Sequence, residues 1–183
     1  MIHFTSDQHV GDANIIKYCH RPFSSLEEMN FAMLERWNAV VGPDDEVYCL
    51  GDFAFQSREY ELEVLLGQLN GRIYYVKGNH DKEVLRADKR VGRFEWVKDY
   101  FELKVDDPEM PDGRQKICLM HYPLMSWNGE VHGSWHLHGH THEIVMSDKP
   151  AMLNVCVEQT DYAPISYEDV KRIITERYRH GKK

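Results

Sequence analysis

The stretch RIYYVKGNHD, residues 72–81, joins a buried-strand pattern to a run of polar side chains that starts where the strand ends. Arg72–Val76 is rich in aromatic and β-branched residues, which predicts a β-strand. A short link then leads into Asn79, His80 and Asp81. Because ligands of α/β sheets bind beyond the carboxyl ends of the strands, this segment predicts both the fold class and the place of a functional site.

The same arrangement recurs along the chain. Candidate strands span Ile2–Ser6, Glu46–Leu50, Arg72–Val76, Tyr100–Val105, Lys116–Met120, Trp135–Leu137 and Met152–Val157. Polar donors directly follow several of these strands: Asp7, His9, Asp52, Asn79, His80, Asp81, His121, His138, His140 and His142. Donors from separate strand ends are expected to meet in one place. Carboxylates, an amide and imidazoles suit Mn, Fe, Co, Ni or Zn, whereas an all-oxygen set would indicate Mg or Ca.

Helical periodicity between the strands makes this an α/β pattern. One helix opens at Ser25 with a capping box to Glu28, a second follows Ser57, and a third follows Ser166 with Asp169 as its capping partner. The expected core faces are Leu26, Met29, Met33, Trp37 and Val40 in the first helix and Leu62, Leu65, Leu66 and Leu69 in the second. Asp112 and Gly113 predict a hairpin turn, so the second half of the chain is expected to be more antiparallel than the first.

Length and composition describe an ordinary globular chain. The 183 residues suit one domain, 1–183, with no insertion large enough for a cap domain. A formal net charge of −8 argues against general coating of nucleic acid. The polar start and the absence of a long apolar run predict a cytoplasmic protein without a membrane span. Buried free thiols are the expected state of the four cysteines, with a zinc site or disulfides as the alternative.

The donor blocks carry a family resemblance. In chain order, Asp7-Gln8-His9, Gly51-Asp52, Gly78-Asn79-His80-Asp81, His121 and Gly139-His140-Thr141-His142 resemble the five motif blocks of the calcineurin-like metallophosphoesterase superfamily. The G-N-H-D block is specific, the G-H-x-H block fairly so, and the others are common by chance. Similarity to small bacterial and phage phosphoesterases of poorly defined substrate extends through Asn14-Ile15-Ile16, Arg21-Pro22-Phe23, His121-Tyr122-Pro123-Leu124 and Pro164-Ile165-Ser166. Asp12 stands where many members of that group have His.

The resemblance implies a four-layer α/β/β/α sandwich of two mixed β-sheets flanked by helices, with two metal ions at the carboxyl ends of strands. Mn is the expected ion, with Fe, Zn, Ni or Co as alternatives. The implied ligands are Asp7, His9, Asp52 and His142 for the first ion and Asp52, Asn79, His121 and His140 for the second, so that Asp52 bridges them. Two divalent ions outweigh the two carboxylates, so an acidic protein would still present a positive site to phosphate.

The implied reaction is hydrolysis of a phosphomonoester or phosphodiester by in-line attack of a metal-bridging hydroxide. The resemblance makes His80 the general acid for the leaving group, with Asp81 holding its imidazole and raising its pKa. A nuclease or cyclic-nucleotide phosphodiesterase is the alternative activity. A non-catalytic scaffold would be expected to have lost ligands, and none is missing.

Several polar residues have two interpretations. Arg21 could bind a substrate phosphate or serve a surface or capping role. His138 could contact substrate, or it could support a ligand from the other face of its strand. The tail cations Lys171, Arg172, Arg177, Arg179, Lys182 and Lys183 could touch nucleic acid, although complementing the dipole of a C-terminal helix is the favoured reading. A small phosphoester or nucleotide is therefore the expected partner, and the physiological substrate stays open.

Overall fold

We describe the fold from a computed structural model, which covers residues 1–144 and 148–180. The strands are β1 (Ile2–Thr5), β2 (Glu46–Cys49), β3 (Arg72–Val76), β4 (Phe94–Lys98), β5 (Phe101–Asp106), β6 (Arg114–Leu119), β7 (Trp135–His138), β8 (Met152–Asn154) and β9 (Ile165–Ser166). The α-helices are α1 (Ala13–Tyr18), α2 (Leu26–Val40), α3 (Glu59–Gln68), α4 (Lys82–Val91) and α5 (Tyr167–His180). The predicted α/β class, with two mixed sheets and helices, is confirmed.

The first sheet has the strand order β4-β3-β2-β1-β9, and the second has the order β5-β6-β7-β8. Strands β1 to β4 are parallel and β9 is antiparallel to β1. In the second sheet the β5–β6 pair is antiparallel and the β6–β7 and β7–β8 pairs are parallel, so the second half is more antiparallel than the first, as predicted. The carboxyl ends of β1, β2 and β3 therefore share one edge, as do those of β6 and β7.

Alternation along the strands builds two cores. Tyr48 and Leu50 belong to a cluster that joins both sheets, including Leu119 and Leu137 of the second. Val47 and Cys49 face the other way, into a cluster with helices α2, α3 and α4. The helices contribute Trp37, Leu62, Leu66, Val84 and Ala87 to this second cluster. Both cores leave the polar strand ends outside them.

Both predicted helix caps are confirmed. The Ser25 hydroxyl accepts from the Glu28 amide, and the Ser166 hydroxyl accepts from the Asp169 amide. Helix α3 follows Ser57 as predicted and has Arg58 at its N-cap, while the Ser57 hydroxyl donates to the Val10 carbonyl. Asp112 and Gly113 form the β5–β6 turn with left-handed φ angles of 62° and 65°.

Two strands and one core residue differ from expectation. Strand β4 was not predicted because it is a partly exposed edge strand carrying Glu95 and Lys98, and β9 has only two residues. Val40 is 39% exposed rather than core, since the buried position at that end of α2 is taken by Val41. Within the described ranges, no helix combines the length and apolarity needed to cross a membrane.

Candidate metal centre

Five of the seven residues that the resemblance implies as metal ligands adopt a left-handed backbone conformation. The φ angles are 61° at Asp7, 52° at His9, 52° at Asp52, 69° at His140 and 48° at His142. Non-glycine residues rarely adopt this region, although Asp and His tolerate it better than most. Each such residue costs of order 1 kcal/mol, and clusters of them mark functional sites. The strand-end turns are therefore shaped to aim these side chains.

Glycines allow the turns to pack against the carboxylates. A Cβ on Gly78 would lie 2.2 Å from Oδ1 of Asp52, and a Cβ on Gly139 would lie 2.3 Å from Oδ2 of Asp7. Both distances are far below van der Waals contact. These two backbone segments can approach the carboxylates only because they lack a side chain.

In each of the two carboxylates, Asp7 and Asp52, the protein's hydrogen bonds go to one of the two oxygens. Oδ2 of Asp7 accepts from the Ser6 hydroxyl, from the Cys156 thiol at 3.1 Å and from the His140 amide at 2.9 Å. Its Oδ1 is buried and has no hydrogen-bond partner among the described residues. Oδ1 of Asp52 accepts from the His80 amide at 2.8 Å. In both residues the protein therefore fixes one oxygen and presents the other.

Two imidazoles are held in the same manner through Nδ1. His121 Nδ1 lies 2.7 Å from the Leu50 carbonyl oxygen, and His142 Nδ1 lies 2.9 Å from Oε1 of Glu158. Both partners are acceptors, so they favour a proton on Nδ1 and leave the lone pair of Nε2 available to a metal ion. Within residues 1–144 and 148–180, neither ring nitrogen of buried His9 has a hydrogen-bond partner.

The presented atoms converge. His9 Nε2 lies 3.9 Å from Asp7 Oδ1 and 3.8 Å from Asp52 Oδ2, and His142 Nε2 lies 3.8 Å from Asp7 Oδ1. On the other side of Asp52, the same Oδ2 lies 3.5 Å from His121 Nε2. Such separations are too long for good hydrogen bonds, but two donors bound at about 2.1 Å to one tetrahedral ion lie about 3.4 Å apart. The spacing suits a shared ion on each side of Asp52.

The remaining two donors complete the second group. Coordinating atoms of Asp52, His121 and His140 all lie within 4.8 Å of one another, as do those of Asp7, His9 and Asp52. Oδ1 of Asn79 lies 3.1 Å from His121 Nε2. The structure thus brings together all seven side chains that the resemblance implies as ligands.

The histidines of the centre differ in how burial and the neighbouring carboxylates change their pKa. Burial opposes a charged imidazole at His142, but its contacts with Cys19 and Glu158 and the Asp7 carboxylate raise its pKa to about 10. The pKa of His121 is likewise raised, against burial, by Asp52 and Asp7. Burial alone dominates at His9 and lowers its pKa. Protonation is therefore stabilised at His142 and His121, beside the carboxylates, and disfavoured at His9.

The chain is similar to known proteins in both sequence and fold. No family model matches the chain. Over 182 residues it is 35% identical to the uncharacterized protein MJ1445 of Methanocaldococcus jannaschii, covering 94% of this chain and 90% of that protein. The chain belongs to the MJ1445 family.

Two further proteins are similar to this MJ1445-family member. The Gene 66 protein of Mycobacterium phage D29 is 29% identical over 160 residues, which are 78% of this chain and 79% of the phage protein. The crystal structure of the protein of unknown function AQ665 from Aquifex aeolicus superposes with a TM-score of 0.70 at 26% identity, covering 94% of this chain and 98% of that one. The fold of the MJ1445-family chain is therefore shared over nearly its whole length.

His80 lies beside the donors, but Asp81 does not hold it. The half-buried His80 ring is 5.6 Å from the His9 ring and 4.4 Å from that of Phe55, centroid to centroid. The buried Asp81 carboxylate instead accepts from the Tyr75 hydroxyl at 2.7 Å and from the Gly78 amide at 2.5 Å. The expected Asp81–His80 contact is wrong because Asp81 turns inward at the start of α4 and anchors the loop that carries His80.

Arg21 is a structural residue of the MJ1445-family protein rather than a phosphate ligand. Its side chain is fully buried, and its guanidinium donates to the carbonyls of Asp7 and Gln8 and to Glu158. The two interpretations of Arg21 made from the sequence, substrate binding and a surface or capping role, are both wrong. All three guanidinium nitrogens are already engaged inside the protein.

His138 and Asp12 are both buried and make contacts within the protein. His138 is 3% exposed, its Nδ1 lies 2.8 Å from the Gly139 carbonyl oxygen, and burial lowers its pKa to about 4. It lines a cavity of about 480 Å³ that contains none of the seven donors. Asp12 caps α1 by accepting from the Asn14 amide, and its other oxygen lies 3.6 Å from His9 Nδ1.

The cations of the C-terminal helix are largely paired within the protein. Lys171 contacts Asp107 at 2.8 Å, Arg172 contacts Asp169 at 3.0 Å, and Arg177 donates to the Met152 carbonyl. Lys182 and Lys183 lie outside the described residues. These pairings favour a local role over contact with nucleic acid.

Two residues of the centre were not singled out from the sequence. Glu158 belongs to a 3₁₀ helix of residues 157–159 after β8 and has no motif around it. Cys156 does follow a strand, but the predicted strand extended to Val157, so Cys156 was counted as a strand residue and not as a donor after the strand end. Ending β8 at Asn154 would have exposed Cys156 as a further strand-end donor.

Proposed function

We propose that this protein is a metal-dependent phosphoesterase with a dinuclear centre. Asp7, His9, Asp52 and His142 would hold the first ion, and Asp52, Asn79, His121 and His140 would hold the second. The observation that carries the proposal is the placement of Asp52 Oδ2, which faces His9 Nε2 on one side and His121 Nε2 on the other. A single carboxylate oxygen between two sets of coordinating atoms is the arrangement that a bridging ligand requires.

The donor chemistry fits transition-metal ions. Mixed imidazole and carboxylate sets suit Mn, Fe, Co, Ni or Zn, and we propose Mn as the working ion. In the part of the chain that the structure describes, the buried Oδ1 of Asp7 and Nε2 of His9 have no hydrogen-bond partner to compensate their desolvation. A coordinated cation would satisfy both atoms. The four-layer α/β/β/α arrangement belongs to the same proposal.

The chain's own residues have separable tasks. Bound ions would activate water and polarise the phosphoryl oxygens. Asp7 and Asp52 set the negative charge of the centre, and their held oxygens keep the presented ones in place. His80 would deliver a proton to the leaving oxygen, since it lies next to the ligand Asn79 with its ring beside that of His9.

The loop that carries His80 is anchored by Asp81. Burial raises the pKa of the Asp81 carboxyl to about 6, against the hydrogen bonds from Tyr75 and Gly78. Asp81 would therefore act on catalysis through the position of the loop. This replaces the direct contact with His80 that the sequence suggested.

Hydrolysis assays test the proposal. Chelator-stripped protein would be assayed with added Mn²⁺ on aryl phosphomonoesters and phosphodiesters, cyclic nucleotides, dinucleotides and short oligonucleotides. We expect turnover of at least one class, its loss with EDTA, and its loss in Asp52→Asn together with bound metal. Turnover by Asp52→Asn in EDTA would overturn the proposal, and cleavage of oligonucleotides alone would redirect it to a nuclease.

A further inference from the structure

Arg21 ties together two parts of the candidate centre that are distant in sequence. Its Nη2 donates to the Asp7 carbonyl at 2.7 Å, and its Nη1 donates to the Gln8 carbonyl at 2.7 Å. The same guanidinium donates to Oε1 of Glu158 from Nη2 at 2.6 Å and from Nε at 2.9 Å. The side chains of Arg21 and Glu158 are 0% and 1% exposed.

The oxygen that Arg21 contacts is also the oxygen that orients His142. Oε1 of Glu158 lies 2.9 Å from Nδ1 of His142, which leaves Nε2 of that ring facing Oδ1 of Asp7 at 3.8 Å. One arginine therefore fixes the left-handed turn of Asp7 directly and the ring of His142 through Glu158. Both residues belong to the first proposed ion.

The second proposed ion does not depend on this pair in the same way. Its His121 ring is held by the Leu50 carbonyl, and its Asn79 side chain contacts His121. Neither contact involves Arg21 or Glu158. A loss of the pair should therefore act unequally on the two ions.

We propose that Arg21 and Glu158 are positioning residues selective for the first metal site, formed by Asp7, His9, Asp52 and His142. The proposal rests on the function proposed above. Partners that orient metal-binding histidines typically contribute 10-fold to 100-fold in metal affinity. If the pair had a purely structural role, its loss would lower the free energy of unfolding and would not change the affinities of the two metal sites to different extents.

Calorimetric titration of the chelator-stripped protein with Mn²⁺ separates these roles. His142→Ala and His121→Ala identify which binding event belongs to which site. In Glu158→Gln, we expect the event lost in His142→Ala to weaken by about 10-fold to 100-fold and the other to stay within about threefold. Asp161→Asn is the matched control, because the Arg36–Asp161 pair at 2.9 Å also involves the segment after β8 but is exposed.

A second variant guards against misfolding. Glu158→Gln leaves the Arg21 charge buried without its partner, which is strongly destabilising. The double variant Arg21→Met, Glu158→Gln removes that charge and should show the same selective loss, with the fold checked by circular dichroism. Unchanged affinities, or equal weakening of both events, in either folded variant would overturn the inference while leaving the phosphoesterase proposal standing. Wild-type protein that binds no Mn²⁺ would overturn both.

Discussion

The thiol of Cys156 donates a hydrogen bond to Oδ2 of Asp7, with 3.1 Å between sulfur and oxygen. Burial and the Asp7 carboxylate raise the pKa of this thiol, so it stays protonated and remains a donor. Together with the Ser6 hydroxyl and the His140 amide, it fixes Oδ2 and turns Oδ1 toward His9 and His142. A cysteine that looks like core packing in the sequence thus orients a candidate metal ligand.

Replacing Cys156 tests this orientation. Cys156→Ala should weaken binding of the first Mn²⁺ roughly tenfold, because one of three donors to Asp7 is lost. Cys118→Ala is the matched control, since Cys118 is equally buried but contacts the Asn128 carbonyl. Titration calorimetry and thermal unfolding would be measured on both. Equal metal affinity in the two variants would show that the thiol only fills space.

The role of His80 predicts a dependence on the leaving group. His80→Ala keeps the backbone amide that donates to Asp52, so both ions should stay bound. It removes the proton donor, which is typically worth 10²-fold to 10⁴-fold. An alkyl alkoxide needs that proton more than a nitrophenolate does. The kcat of the variant should therefore fall much further on an alkyl ester than on a nitrophenyl ester.

Exposed His132 supplies the control for that comparison, since His132→Ala should leave both rates unchanged. Metal content would be measured on every preparation. Equal losses on the two esters with full metal would assign His80 to substrate positioning. A fall in bound metal would instead make it a ligand.

How far the sequence predicts this site depends on the residue. Donors placed after β1, β2, β3, β6 and β7 could be predicted, because parallel strands within each sheet end at a common edge. The partner of Arg21 could not, since Glu158 is 137 residues away and approaches from another segment. The sequence also could not predict which way the Asp81 side chain points. Adjacent residues at the start of a helix point to different sides, and Asp81 turns to Tyr75.

The two cores predict that the chain folds without metal. The clusters centred on Leu119 and on Leu66 contain none of the seven donors, so apolar burial does not require an ion. Chelator-stripped protein should unfold cooperatively, and Mn²⁺ should raise its Tm as concentration increases, by mass action. Circular dichroism with thermal scans measures both. An unfolded stripped protein would indicate a structural ion instead.

Glu102 predicts part of the acid sensitivity of the fold. Lys116, with Asn128 and Tyr100, lowers the pKa of Glu102 to about 2 in the folded protein. The pKa of an unfolded glutamate is about 4.3, so the folded state binds this proton less tightly than the unfolded state does. The stabilisation is therefore complete above about pH 4.3 and is lost as the pH falls toward about 2.

Glu102→Gln should consequently be less stable than the wild type near neutral pH, and the difference should shrink through that acidic window. Urea unfolding in EDTA across the range gives the free energy of unfolding of each protein without interference from metal. A difference that stays constant down to about pH 2 would contradict this assignment.

The central claim is that Asp52 bridges two metal ions. Anomalous diffraction from crystals grown with excess Mn²⁺ tests it most directly. We predict two manganese peaks about 3.5–4 Å apart with the Asp52 carboxylate between them. One should lie against Asp7, His9 and His142, and the other against Asn79, His121 and His140. A single peak, or none at these side chains, would contradict the dinuclear centre.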